Sequence, residues 1–257
     1  MKVITLNVNG IRAAIRKGFF DWLRIQKPDV VCLQEIRIQE SQLTEEMHAA
    51  CGMHSYYHCA EKPGYSGVAI YTKDQPRNIQ TGLGLKEFDS EGRMLQIDFK
   101  DLSVISLYIP SGSAKENRQI FKYKCMKRIK EYMLKMNKEN KNFIFCGDFN
   151  IAHTKFDLKN WRGNQKNSGF LPEEREWMTQ LLENGPLIDN FRHLYPSEEG
   201  AGYTWWSNRG QAFANNTGWR IDYQISNEKI AQKLTKIEVY KDKRFSDHAP
   251  LIAKYRI

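Results

Sequence analysis

The chain lacks the features that would place it in a membrane or an oxidising compartment. Its five cysteines, Cys32, Cys51, Cys59, Cys125 and Cys146, are odd in number and widely scattered. None forms a C-x-x-C pair, which excludes a disulfide framework. No apolar stretch approaches the about 18 residues a membrane-spanning helix needs, so no membrane partner is expected. The start, Met1-Lys2-Val3-Ile4-Thr5-Leu6, has too short an apolar run for a signal peptide. The expected location is the compartment of synthesis, a bacterial-type cytoplasm and its nucleoid. Pro/Ser-rich linkers, low-complexity tracts and a clear internal repeat are also missing, so 1–257 reads as one domain. With 41% hydrophobic and 27% charged residues, the chain has ordinary globular composition and enough length for a substantial core.

Acid is the scarcer charge. Asp and Glu number 30 against 39 Lys and Arg, giving +9 at pH 7 and implying a polyanionic partner. Residues 111–142 hold ten basic residues against three Glu, or +7 of that total. Within them Cys125, Ile129, Tyr132, Met133 and Met136 recur at helical spacing, with the lysines largely opposite. That pattern reads as a solvated helix face whose contribution is long-range attraction. His48, Cys51, His54, His58 and Cys59 crowd together like zinc ligands, but their spacing fits no common finger. They read as a helix end and loop.

What is present is an alternation of strand-like and helix-like segments. Strand-like runs fall at 2–8, 29–34, 67–72, 94–99, 102–109, 142–147, 221–226 and 250–255, and helical ones at 19–26 and 116–137. A third helix starts at Pro172, with Glu173 and Glu174 in its first turn and Trp177, Met178, Leu181 and Leu182 inside. Lys100-Asp101 joins two runs as a hairpin, so the sheets cannot be wholly parallel. Two mixed sheets packed together with helices outside satisfy the layer rules. The Gly-, Asn- and Ser-rich loops 61–66, 111–117, 151–170 and 197–219 are the expected gripping surface.

Polar residues stand where several strands should end. Glu35 follows Val30-Val31-Cys32-Leu33-Gln34, placing a carboxylate at a strand tip suited to a hard cation. Asn7 and Asn9, two apart in an extended segment, can face one side, and Asp148 and Asn150 repeat the arrangement. Asp247 and His248 stand near Pro250, and Asp222 is placed to hold the His248 ring through a hydrogen bond. Any one of these has an ordinary reading as a turn or capping residue. Together, oxygen ligands, amides and an imidazole on one sheet edge suit metal-assisted attack on a phosphate.

At these residues the sequence resembles the exonuclease III family of apurinic/apyrimidinic endonucleases, within the endonuclease/exonuclease/phosphatase superfamily. LNVNGIRA, PDVVCLQE, GYSGVAIY, LYIPSG, CGDFNIAH, GNQKNSGF, YTWW, GWRIDY and SDHAPL carry the likeness over residues 6–251. CGDFN and SDHAP mark the superfamily, whereas GNQKNSGF, FRHLYP and GWRIDY point to its DNA-repair branch. The resemblance implies a four-layered α/β sandwich with its site at one edge of two packed mixed sheets. It implies Mg²⁺, with Mn²⁺ as an alternative, on Glu35, and Asn7, Asp148, Asn150, Asp247 and His248 as further groups that touch the ion or hold its ligands. Tyr108 would act near the scissile phosphate, Asn150 would stabilise the charged transition state, and His248 with Asp222 would bind phosphate. Asp148, a Tyr108 phenolate and His248 remain open as the base.

By the same likeness Arg12, Ala13 and Lys17 would contact DNA backbone, Gly64 and Tyr65 a groove, and Asn164 and Asn167 phosphate and sugar. Trp205 and Trp219 would wall the pocket for an extruded abasic sugar. Ser111 stands where many members have Asn, Asn9 where some have Asp, and Arg209 lies in a loop of variable length. The implied protein is a monomeric enzyme that cuts duplex DNA 5′ to abasic sites, leaving a 3′-hydroxyl and a 5′-deoxyribose phosphate, with 3′–5′ exonuclease and 3′-phosphodiesterase activity on blocked 3′ ends as further expectations. A phosphodiesterase for inositol phosphates or sphingolipids is the rival within the superfamily; the DNA-branch motifs and positive charge oppose it. A catalytically dead DNA-binding module is opposed by the intact acid, amide and histidine set.

Overall fold

The apolar runs pair into two six-stranded sheets in a computed structural model that describes residues 1–113 and 116–257. In chain order the elements are β1 (Lys2–Asn7), α1 (Ile11–Arg16), α2 (Phe19–Gln26), β2 (Val30–Gln34), α3 (Glu45–His48), β3 (His54–His58), β4 (Val68–Thr72) and β5 (Asn78–Thr81). Then come α4 (Lys86–Ser90), β6 (Met94–Asp98), β7 (Ser103–Tyr108), α5 (Glu116–Lys138), β8 (Phe143–Asp148), α6 (Trp161–Asn164) and α7 (Pro172–Leu182). The chain ends with β9 (Leu187–Asp189), α8 (Asn190–Leu194), β10 (Asp222–Asn227), α9 (Glu228–Ala231), β11 (Leu234–Val239) and β12 (Leu251–Tyr255). Of the expected loop 111–117, residues 114 and 115 lie outside the described residues.

One sheet runs β11-β12-β1-β2-β4-β3 and the other β5-β6-β7-β8-β10-β9. Alternation along each central strand feeds two cores. In β1, Ile4 and Leu6 face the helical layer of α1 and α2, while Val3 joins the core between the sheets. In β8, Phe143 and Phe145 pack under α5 and α7, while Ile144 and Cys146 face the opposing sheet. The result is helices, sheet, sheet, helices: the expected four-layered α/β sandwich.

This topology builds an edge for chemistry. Each sheet holds one parallel pair, β1 with β2 and β7 with β8, flanked by antiparallel strands. The carboxyl ends of the parallel strands therefore share an edge with the starts of β4, β10 and β12. Asp222, first in β10, pairs directly with Asp148, last in β8. Gly147 is needed here, because a side chain on it would collide with the Leu107 carbonyl across the pair and separate Tyr108 from Asp148.

Two expectations about the chain change. The segment from His48 to Cys59 ends a helix as read but continues into edge strand β3; among the described residues its His and Cys do not gather as ligands. Residues of the basic run do not all face solvent: Lys122 is fully buried with Glu174.

Candidate active site

Two short turns bring the amides and carboxylates together. After β1 the Asn9 N–H donates to Asn7 Oδ1 (2.9 Å), and after β8 the Asn150 N–H donates to Asp148 Oδ1 (2.8 Å). Asn9 and Asn150 have left-handed backbones, φ 44° and 52°, a conformation Asn tolerates better than most residues. This corrects the sequence reading of both pairs as extended. The strands stop at Asn7 and Asp148, and a turn rather than strand alternation aims the second residue of each pair.

Asn7 bridges the two sheets, its Nδ2 donating to Glu35 Oε2 (3.1 Å) and Asp148 Oδ2 (2.9 Å). Glu35, itself at φ 56°, is also gripped by Arg37, whose Nε donates to Oε1 at 2.9 Å. Asn150 Nδ2 donates to the Ile109 carbonyl (2.9 Å) and Asp148 Oδ2 (3.3 Å). Asp247 accepts from Asn9 Nδ2 (2.9 Å), Ser246 Oγ (3.0 Å) and Trp205 Nε1 (3.1 Å), so both its oxygens are occupied. His248 Nδ1 donates to Asp222 Oδ2 at 2.8 Å, and its Nε2 lies 3.9 Å from Asp148 Oδ2.

Electrostatics separate these groups. Burial lifts Asp148 to about 7, with the Asp222 charge adding to the shift and His248, Asn7 and the Asn150 N–H opposing it. Burial disfavours charge on His248, but the Asp222 carboxylate outweighs it and holds the ring up at about 10. Burial and Glu35 push the Tyr108 phenol well above its usual range, against the Arg93 guanidinium stacked 4.5 Å from its ring. Near neutral pH the site therefore combines an imidazolium, a neutral phenol and a carboxyl near its midpoint.

Oxygen donors suit a hard divalent cation. Asp148, Asp222 and His248 offer ligand atoms within 4.8 Å of one another, and Asp222 Oδ1 is buried without a hydrogen-bond partner among the described residues. A protonated His248 has no lone pair to give. The better place for an ion is therefore beside Glu35 and Asp148, where Arg37 would have to share Glu35 and Asn7, which turns its Nδ2 to both carboxylates, would have to offer its oxygen instead.

The surrounding loops carry the remaining predicted residues. Arg12 and Lys17 are exposed on α1 and the turn after it, with Ala13 half-buried between them. Ala13 and Lys17 line a groove of about 330 Å³ with Asn9, Asn208, Arg244 and Asp247. Exposed Gly64 precedes Tyr65, whose hydroxyl accepts from Arg93 Nη2 (3.2 Å) and Arg118 Nη2 (3.1 Å). Asn167 Nδ2 donates to Asn164 Oδ1 at 2.8 Å. Trp205 and Trp219, both partly exposed, meet edge to face at 6.2 Å, and Trp205 pairs backbone with both Trp219 and His248. Among the described residues Ser111 bonds Ser113 (2.8 Å), and Arg209 stands exposed in its loop; neither is drawn into the cluster.

Sequence reading missed the supports. Arg93 joins Tyr65 to Tyr108, donating also to the Tyr108 carbonyl (3.1 Å). Asp157, fully buried, is held by Arg220 (2.7 Å) and Arg192, and their positive charges, against burial, keep it well below the usual carboxylate range. Only Arg220, between Trp219 and Asp222, offered a positional hint.

Comparison with known proteins agrees with this geometry. The model of the endonuclease/exonuclease/phosphatase family matches residues 4–248. The chain belongs to that family, in its exonuclease III branch of apurinic/apyrimidinic endonucleases. It is 38% identical over 252 residues to the exodeoxyribonuclease of Bacillus subtilis, covering 98% of each chain. It is also 38% identical over 256 residues to the DNA repair nuclease APEX1 of Danio rerio, covering 98% of this chain and 81% of that one. The solved AP endonuclease of Archaeoglobus fulgidus superimposes with a TM-score of 0.90 at 26% identity over the whole of both chains. The protein is a nuclease of the DNA-repair type.

Proposed function

We propose that this nuclease works as a monomeric, single-domain, Mg²⁺-dependent enzyme, with Mn²⁺ able to substitute, that cuts duplex DNA 5′ to abasic sites. It leaves a 3′-hydroxyl and a 5′-deoxyribose phosphate, trims blocked 3′ ends, and acts in the cytoplasm at the nucleoid. The observation carrying the reading is the convergence of Asp148, the His248–Asp222 pair and the Asn7 and Asn150 amides beside the Trp205–Trp219 wall.

Glu35, Asn7 and Asp148 would hold the ion, which when bound neutralises phosphate charge and eases ionisation of water. Asp222 keeps His248 protonated, and Nε2, on the side of the ring away from Asp222, would donate to a phosphate oxygen. Asn150 Nδ2 would exchange its long bond to Asp148 (3.3 Å) for one to the same developing charge. Tyr108, neutral at physiological pH, donates a hydrogen bond rather than serving as a phenolate. With His248 charged and Tyr108 un-ionised, Asp148 is the member of the trio left to orient water and take its proton, its carboxylate fixed by the Asn7 amide and the Asn150 N–H. Asp247 positions Asn9 and Trp205. Arg12, Ala13, Lys17, Gly64, Tyr65, Asn164, Asn167 and, at the margins, Ser111 and Arg209 supply the surface along which the duplex lies.

The test is a duplex with one abasic analogue, beside an intact duplex and one with a blocked 3′ end, each with Mg²⁺, Mn²⁺ or EDTA. Scission 5′ to the lesion, dependent on the divalent ion and yielding a 3′-hydroxyl, is expected. Cutting in EDTA, or equal cutting of the intact duplex, overturns the assignment.

A further inference from the structure

Lys122 and Glu174 are both fully buried, and replacing a buried ion pair with apolar side chains is often neutral or stabilising, so stability alone does not explain this one. Lys122 Nζ donates to Glu174 Oε1 (2.5 Å) and to the backbone carbonyl of Asn150 (2.8 Å). Glu174 Oε1 also accepts from Gln119 Nε2 (3.0 Å) and Ser168 Oγ (3.4 Å). Its Oε2 accepts from the backbone N–H groups of Gly169 (2.7 Å) and Leu171 (3.0 Å). One carboxylate thus joins α5, the start of α7 and the segment following Asn164 and Asn167.

That segment touches the site directly. Gly169 sits at φ 95°, and its carbonyl accepts from the Ala152 N–H at 2.8 Å. A Cβ on Gly169 would lie 3.2 Å from both the Asn150 carbonyl oxygen and the Trp219 ring. Asn150 itself is left-handed, with its N–H and side-chain amide committed toward Asp148 and Ile109. The ammonium supplies the donor on its carbonyl side, completing the set of bonds that fixes this unusual conformation.

We propose that Lys122 and Glu174 are positioning residues: the ammonium aims the Asn150 amide at the reacting phosphate, and the carboxylate clamps residues 168–171 against Asn150 and Trp219. The proposal rests on the reading of Asn150 and Trp219 given above. Lys122→Met leaves a buried carboxylate uncompensated and lowers both Tm and turnover. The double variant Lys122→Met/Glu174→Gln removes both charges, so a purely structural role predicts that turnover recovers together with Tm.

A positioning role predicts a split in the double variant. Tm returns to within a few degrees of the parent, kcat on the abasic duplex stays at least tenfold low, and KM stays within threefold. Amide hydrogen exchange across residues 149–152 and 168–171 should be at least tenfold faster than in the parent. Recovery of kcat with Tm, or parent-like exchange in both segments of the folded double variant, overturns the proposal. Exchange needs no substrate. If the parent fails to cut the abasic duplex, the functional reading falls, and the exchange result still decides the positioning role.

Discussion

The turn Asn7–Val8–Asn9 after β1 and the turn Asp148–Phe149–Asn150 after β8 meet across the site and share a backbone design. In each, the third residue is left-handed and gives its N–H to the side-chain oxygen of the first. The middle residue, Val8 or Phe149, is buried and anchors the turn in its own sheet. They differ in the first residue, where a neutral amide in one turn faces a carboxylate in the other. The amide gives its two protons to Glu35 and Asp148, so the carboxylate of the second turn receives one of them. The shared turn supplies geometry, and the single change from amide to acid supplies a group able to ionise.

Making the second turn resemble the first gives the largest expected effect. Asp148→Asn keeps an acceptor for the Asn150 N–H, so the turn should persist while the ionisable group is lost. Turnover on an abasic duplex should fall on the order of 10³-fold, within the range for a positioned acid–base group, with KM little changed. A drop smaller than tenfold removes Asp148 from the proton-transfer role.

The pair behind the second turn makes a stability prediction with a definite sign. His248 is raised in the folded state to about 10 from an ordinary 6.5. Its contribution is fully present below about pH 6.5 and is lost as pH rises through about 10. Asp222→Asn removes the charge that sustains the imidazolium while burial continues to oppose it. The variant should lose roughly 3 kcal/mol near pH 6, as for breaking a buried pair, and its Tm should decline less between pH 7 and 10. A Tm–pH curve parallel to the parent's over that interval would detach His248 from Asp222.

Converting the first turn into the second is the reciprocal experiment. Asn7→Asp places a third carboxylate beside Glu35 and Asp148, where an amide donor now relieves their repulsion. Like charge raises the Asp148 pKa further, so the acid limb of the kcat/KM–pH profile should move up by about one unit. Activity near pH 7 should fall several-fold and recover on the alkaline side. An unmoved limb would show that Asn7 does not influence the group whose ionisation limits the rate.

Sequence pattern reached the central strands, the three longest helices and the strand-end residues, and it failed where physics is non-local. The strands it missed, β3, β5, β9 and β11, are the four sheet edges, where one side has no strand neighbour and the alternation weakens. Asn78-Ile79-Gln80-Thr81 in β5, for example, is largely exposed and polar. Asn9 and Asn150 read as extended because spacing carries no sign of φ. Lys122 read as one more exposed lysine because its partner Glu174 lies on another helix, marked in the sequence only as a first-turn acid. Family motifs gathered Asn9 and Asp247 into one site across 238 positions; periodicity alone could not.

The last expected effect falls on substrate preference rather than on turnover, and concerns what neither turn can do. Both turns act on the phosphodiester, and an intact strand carries the same phosphates as a damaged one. Preference for a lesion must come from a surface that receives the extruded sugar. Trp219 fits that role: its partly exposed ring meets Trp205, its backbone pairs with Leu158 and Trp205, and Gly169 permits its close approach to the Asn150 loop. A normal nucleotide is larger and costs more to unstack, so a fitted aromatic wall penalises it relative to the abasic sugar. Trp219→Ala should lower the ratio of kcat/KM on abasic to intact duplex by about tenfold, the order expected from loss of a stacking surface. Metal dependence should be unchanged, because the Trp219 ring packs with Trp205, Leu158 and Phe170 and carries no oxygen to offer an ion. A ratio unaltered in the folded variant would return Trp219 to a packing role and leave Trp205 as the candidate for the wall.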